Sequence, residues 1–197
     1  MNLKYFNIPK DSTFIDPEEA QNLLLVHVRT RTELNKWEYK NITEAVQWLD
    51  NTRPKNILNE EFIRNLHKRM FNKVWKNAGI YRSSGTNIGV PWWQISTYIK
   101  NLCEDVKFWI KNKTYDPDEI GARFHQKLVF IHPFINGNGR HSRLMTDLLM
   151  ENLLGCKRFS WGGGNLGRKG EVRKKYIRAL KQADKYQYND LIDFVRS

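Results

Sequence analysis

Cysteine is nearly absent from this chain. The two that occur, Cys103 and Cys156, have neither metal-site nor redox-motif spacing. Both lie in apolar, helix-patterned surroundings and read as reduced core thiols. No N-terminal apolar run resembles a secretion signal, and no stretch approaches the length needed to cross a bilayer. These absences point to a cytoplasmic protein with no membrane segment. Internal repeats and low-complexity tracts are missing too, which removes solenoids and disordered scaffolds. Strand chemistry is confined to residues 81–91, Tyr-Arg-Ser-Ser-Gly-Thr-Asn-Ile-Gly-Val-Pro, which read as a short β-hairpin between helices.

Acidic residues are also in deficit. Lys and Arg total 33 against 21 Asp and Glu, a formal net charge of +12. Such a balance suits nucleic acid, an acidic protein partner or a triphosphate cavity. The basic residues are dispersed, with one dense cluster at Arg168 to Lys175. That dispersal weakens the nucleic-acid reading. With 40% apolar and 13% aromatic residues in 197, the chain can build a substantial core, and residues 1–197 are most simply one domain.

The remaining pattern is helical. Residues 1–15 form an arm without clear period. Asp16-Pro17-Glu18-Glu19 starts a short helix through about Val26, with Asp as N-cap and Pro at the first helical position. Thr30 to Glu33 begins a longer one with capping-box spacing. Its inward stripe is Leu34, Trp37, Ile42, Ala45, Val46 and Leu49, and it stops at Asn51-Thr52-Arg53-Pro54. Asn59 caps a third helix whose apolar face holds Phe62, Ile63, Leu66, Met70 and Phe71, with His67 lacking an evident partner. Trp92 and Trp93 precede a helix over about 94–111 and belong either to the core or to a cleft. Asp116-Pro117 opens a helix ending near Ile131, on which His125 reads as structural. After Gly155, a plausible C-cap, come a glycine-rich stretch (Trp161 to Gly170) and two closing helices at about 171–184 and 189–196.

The most informative stretch is His132-Pro133-Phe134-Ile135-Asn136-Gly137-Asn138-Gly139-Arg140-His141-Ser142-Arg143. A histidine follows a greasy helix end, a Gly-Asn-Gly turn permits close backbone approach, and two arginines open the next helix. A helix N-terminus of this kind aims N–H groups and the positive dipole end at one point, which suits phosphate. Arg140 and Arg143 would add charge-assisted bonds, and His132 would face the same point as a general base.

This stretch resembles the signature of the Fic (filamentation induced by cAMP) family, His-x-Phe-x-Asp/Glu-Gly-Asn-Gly-Arg-x-x-Arg, and departs from it only at Asn136. The resemblance implies an all-α Fic fold of about eight helices with one short β-hairpin, the flap, at 81–91. Residues 1–50 would supply an N-terminal arm and an inhibitory-like helix, and 132–143 the signature loop and helix start. It further implies AMP transfer from ATP to a Tyr, Ser or Thr hydroxyl of a target protein. His132 would take the hydroxyl proton. Gly137, Asn138 and Gly139 would nest the phosphates, Arg140 would neutralise the leaving pyrophosphate, and Arg143 would meet the γ-phosphate. Phe134 would anchor the loop. Position 136 would hold Mg²⁺ or Mn²⁺, for which Asn136 offers a neutral oxygen in place of a carboxylate. Thr86, Asn87, Ile88 and Gly89 of the flap would dock the target by strand addition, and Gly162 to Asn165 would border the nucleotide.

Glu33-Leu34-Asn35 is similar to a relaxed form of the family's inhibitory motif, so Glu33 either caps its helix or pairs with Arg143 to shut the enzyme. Alternatives are a nucleotide-binding pseudoenzyme weakened by Asn136, a related phosphotransferase (disfavoured by the intact Gly-Asn-Gly-Arg), and a basic nucleic-acid-binding module. The target, an antitoxin partner and the oligomeric state, including a homo-oligomer, stay open.

Overall fold

Each apolar stripe finds a partner stripe, so the chain folds as helices packed on helices. A computed structural model describes residues 14–163, 166 and 170–197. The helices are α1 (Pro17–Ala20), α2 (Arg31–Thr52), α3 (Glu60–Phe71), α4 (Ile95–Asn112), α5 (Pro117–Ile131), α6 (Asn138–Leu148), α7 (Glu171–Ala183) and α8 (Asn189–Arg196). Short 3₁₀ turns at Trp92–Gln94 and Trp161–Gly163 and a π turn at Leu149–Leu153 complete them. Among the described residues, β pairing is limited to two isolated bridges, Phe14 with Thr30 and Leu23 with Trp75. No described helix is long and apolar enough to cross a membrane. The expected all-α class is observed.

Local chemistry explains most boundaries. The Thr30 hydroxyl accepts from the Glu33 N–H at 3.3 Å, and Glu33 Oε2 accepts from the Thr30 and Arg29 N–H groups at 3.1 Å each. That capping box starts α2, and Arg53, left-handed at φ 41°, ends it. Asn59 Oδ1 caps α3 by accepting from the Phe62 N–H at 2.8 Å. α1 is shorter than expected. After Ala20 the main chain pairs with the turn beyond α3, the Leu24 N–H donating to Val74 and the Lys76 N–H to Asn22. Those tertiary bonds replace the second helical turn.

Two apolar interiors result. The larger joins α2 to α6 around Ile42, Ile63, Phe71, Ile99, Leu128 and Phe134. The smaller, under α7 and α8, gathers Phe159, Trp161, Tyr176 and Leu191. α5 serves both, through Phe124 on one side and Ala122 on the other. Three tryptophans miss the core: Trp37 is 37% exposed, Trp92 43% and Trp93 66%. Glu38, 2% exposed, occupies the buried place expected for Trp37. Residues 1–13 of the expected arm, Gly164 and Asn165 of the expected nucleotide border, and Arg168 and Lys169 of the basic cluster lie outside the described residues.

Candidate active site

α5 ends because His132 turns left-handed (φ 50°, ψ 60°), its N–H donating to the Leu128 carbonyl at 3.4 Å. A non-glycine residue in that region is uncommon and has to be held there. Beside it lies Arg82, itself buried, whose guanidinium donates to the carbonyls of His132 (2.8 Å), Ser84 (3.0 Å), Ile131 (3.4 Å) and Val90. Gly89, at φ +106°, backs onto this junction. A methyl there would lie 2.8 Å from His132 Cβ and 2.7 Å from Arg82 Nη2. Burial first, then the neighbouring Arg82 charge, lower the His132 pKa, slightly opposed by the Val129 carbonyl. A neutral imidazole is favoured.

The loop after His132 is pinned at three points. Fully buried Phe134 stacks on His67, with ring centroids 3.7 Å apart. His67 Nδ1 accepts the Gly79 N–H at 2.9 Å, so its proton sits on Nε2, which donates to the Asn136 carbonyl at 3.0 Å. Asn138 grips the Phe134 main chain both ways, accepting from its N–H at 2.9 Å and donating to its carbonyl at 2.7 Å. Gly137 then caps α6 at φ 76°, so close to Phe71 that a methyl would stand 2.5 Å from the ring. The Arg140 and His141 N–H groups both reach the Gly137 carbonyl. Those of Asn138 and Gly139 precede the first intrahelical bond and face outward along the dipole.

Arg140, in the first turn, does not reach into open solvent. Its two terminal nitrogens donate to Glu38 Oε2 (2.6 Å) and Oε1 (2.8 Å), a bidentate pair. Glu38 Oε1 also accepts from Trp75 Nε1 at 2.8 Å. The arginine in the first turn of α6 is thus held by a carboxylate from α2.

Residues 57–150 match the family model described as Fic/DOC family. The matched segment is a Fic domain. Over 92 residues it is 34% identical to the protein adenylyltransferase fic-1 of Caenorhabditis elegans, covering 45% of this chain and 18% of that protein. Over 122 residues it is 31% identical to a probable protein adenylyltransferase of Aquifex aeolicus, covering 58% and 35%. The chain therefore spans about a third or less of these curated relatives. Its fold is shared with the N-terminal Fic domain, with bound ADP, of a putative cell filamentation protein of Bartonella quintana: TM-score 0.65 at 18% identity, over 100% of this chain and 94% of that one.

Other residues expected in the Fic site are placed differently. Glu33 is exposed, and its carboxylate is spent on the cap of α2 instead of on Arg143. The carboxylate that meets a signature arginine is Glu38, and the arginine is Arg140. Arg143 is turned inward, where it donates to the Tyr176 hydroxyl, itself 2.8 Å from His125 Nε2. The segment 81–91 forms no paired strand. Its ends bond to the signature segment instead, the Arg82 N–H to the Pro133 carbonyl (3.0 Å) and the Val90 N–H to Ile131 (3.4 Å). Thr86, Asn87, Ile88 and Gly89 are exposed between them. Among the described residues, no three His, Cys, Asp or Glu side chains gather as metal ligands around Asn136 or elsewhere. A neutral amide alone does not fit a resident Mg²⁺, which favours carboxylates and substrate phosphates.

Of three residues that organise the site, Glu38 and Arg82 went unread in the sequence and His67 was seen without its partners. Two left a signal. Glu38 lies four residues after Leu34 and four before Ile42, and His67 likewise falls between Ile63 and Phe71. A polar residue on an inward stripe has a partner. Arg82 left none.

Four histidines carry lowered pKa values: His67 (well below the usual value), His125 (about 3), His132 and His141 (about 4), each chiefly through burial. Below about pH 6.5 the unfolded chain binds protons that the folded protein refuses, so stability is full above that pH and lost as pH falls. Each such group steepens the loss by up to about 1.4 kcal/mol per pH unit. Thermal unfolding should show a flat Tm from pH 8 to 7 and a progressive fall below about 6.5. A Tm unchanged down to pH 5 would contradict it.

Proposed function

We propose that this protein transfers AMP from ATP to a hydroxyl of a target protein, and that residues 1–197 work as one Fic unit. The observation that carries the reading is the alignment of His132 with the pinned 134–138 loop and the start of α6. The imidazole removes the hydroxyl proton. The oxygen attacks the α-phosphorus, the bond between the α-phosphorus and the α–β bridging oxygen breaks, and pyrophosphate leaves with that electron pair. His132 Nδ1 is buried without a well-formed hydrogen bond, which leaves Nε2 for the incoming hydroxyl. The N–H groups of Asn138 and Gly139 and the Arg140 guanidinium meet charge that grows on the phosphate oxygens. Mg²⁺ or Mn²⁺ arrives with the triphosphate as part of the substrate. ADP in the Bartonella quintana domain and the names of the curated relatives support a nucleotide here. Exposed Ile88, Trp92, Trp93 and Ile135, in segments bordering His132, suit a protein target.

The pair Glu38–Arg140 supports a shut enzyme, with α2 as its inhibitory element. While the carboxylate holds both terminal nitrogens, Arg140 is withheld from phosphate. Incubation with labelled ATP, Mg²⁺ or Mn²⁺ and lysate should label protein bands, the enzyme included. ATP binding with no label under any metal would favour the second reading, a nucleotide-binding protein without transfer. The neutral Asn136 favours that outcome.

The two loop glycines should respond differently. Gly137→Ala forces a methyl into Phe71 at a left-handed φ and is expected to cost more than about 1 kcal/mol, lowering Tm by several degrees. A methyl on Gly139 meets nothing nearer than Arg143 Nη1 at 3.6 Å. Gly139→Ala should therefore keep the wild-type Tm yet weaken ATP binding, because the methyl occupies the approach to the loop. Unfolding scans and calorimetric titration with ATP check both, and equal behaviour would contradict the assignment.

A further inference from the structure

The exposed segment 83–89 and the catalytic end of α5 meet through one side chain. We propose that Arg82 is a positioning residue for His132: by tying the Ser84 and Val90 carbonyls to those of Ile131 and His132, its guanidinium sets the left-handed turn that presents the imidazole. This rests on the proposed transfer reaction.

Four observations carry it. Each of the four hydrogen bonds that the Arg82 guanidinium makes to described residues ends on a main-chain carbonyl. Two of those carbonyls, Ile131 and His132, belong to the end of α5, where carbonyls lack helical partners and a cation is favoured by the dipole. The planar fork of five donors reaches all four at once, which a lysine cannot do. Gly89 closes the back of the junction, in contact distance of both Arg82 and His132.

Two consequences follow. The guanidinium is the charged group acting on His132, and its permanent charge beside the imidazole disfavours protonation, adding to burial. The base thereby stays neutral. The same guanidinium also holds the segment 83–89 at both ends, so a target that moves the Ser84 or Val90 carbonyl shifts the support under His132.

The test uses Arg82→Lys, Arg82→Gln and Gly89→Ala in the full chain. Readouts are single-turnover transfer, KM for ATP, the pH–rate profile, thermal unfolding and the NMR titration of the His132 ring. Misplacing the base by about 1 Å is expected to lower the rate by up to about 100-fold. Arg82→Lys should lose about 10- to 100-fold in kcat with KM for ATP unchanged and the acid limb in place, since the charge remains. Arg82→Gln should lose as much and also raise the His132 titration towards its ordinary value. Gly89→Ala, with Arg82 intact, should reproduce the kcat loss by pushing on His132 Cβ. Rates near wild type in all three, or losses confined to KM and Tm, overturn the proposal. Should the wild-type protein transfer nothing, the function reading fails on its own account. The ring titration still decides the role of Arg82, and an unmoved His132 in Arg82→Gln overturns it. If Arg82→Gln does not fold, Arg82→Lys and Gly89→Ala decide through kcat.

Discussion

Replacing His132 by alanine should lower AMP transfer by about 10²–10⁴-fold while leaving ATP affinity near wild type. The size follows from the loss of a general base. The selectivity follows from geometry, because the phosphate-facing N–H groups of Asn138 and Gly139 and the Arg140 side chain do not depend on the imidazole. His132→Asn serves as a second variant, since asparagine tolerates the left-handed turn at φ 50°. The pH profile gives an independent check. A base must be neutral, and burial with the Arg82 charge lowers the His132 pKa. Wild-type transfer should therefore persist at pH 6.5, the ordinary histidine midpoint, and lose its acid limb only below it. Undiminished transfer in either variant would remove His132 from the mechanism.

Glu38→Gln should act in the opposite direction on activity. The amide keeps an oxygen for Trp75 Nε1 but gives up the charge that binds Arg140. Hydrogen bonds to charged groups contribute about 1.5–3 kcal/mol each, so freeing the guanidinium for phosphate is worth on the order of 10- to 100-fold in ATP affinity or transfer. Stability should fall, because removing one partner of a buried pair leaves the other without its counter-charge. Arg140 keeps 28% of its side-chain surface exposed, so water limits that loss to about 1–3 kcal/mol. Glu33→Ala is the control: it removes the cap of α2 and leaves labelling unchanged. A Glu38→Gln protein that melts lower and labels no better would make the pair purely structural.

How far the residues alone lead depends on whether an interaction is local. Caps are local, and Thr30, Asn59, Pro117 and Gly137 all mark helix starts where expected. The loop at 132–143 was legible because its chemistry is contiguous. Glu33 kept two readings because a capping box and an inhibitory carboxylate use the same residue type; its carboxylate meets the main-chain N–H groups of Arg29 and Thr30. Glu38 escaped notice because its partner lies 102 residues away. The hairpin expected at 81–91 fails for the same reason: its main chain finds better partners on α5 and the loop than within itself. Arg82 is the extreme case, since a side chain bound only to carbonyls has no sequence counterpart to seek.

The separation of Glu38 from Arg140 has a consequence for how the protein comes into being. Synthesis runs from the N-terminus, so α2 leaves the ribosome 102 residues ahead of the arginine it holds. The carboxylate is already synthesised when α6 emerges, and the Phe134–Asn138 hydrogen bonds join the start of α6 to the loop before it. Under the proposed function, the carboxylate that holds Arg140 is therefore made before the corner it closes. Because α2 also gives Leu34, Ile42, Val46 and Leu49 to the larger core, a product that begins after it would lose packing together with the carboxylate, and Glu38→Gln separates the two effects where truncation cannot.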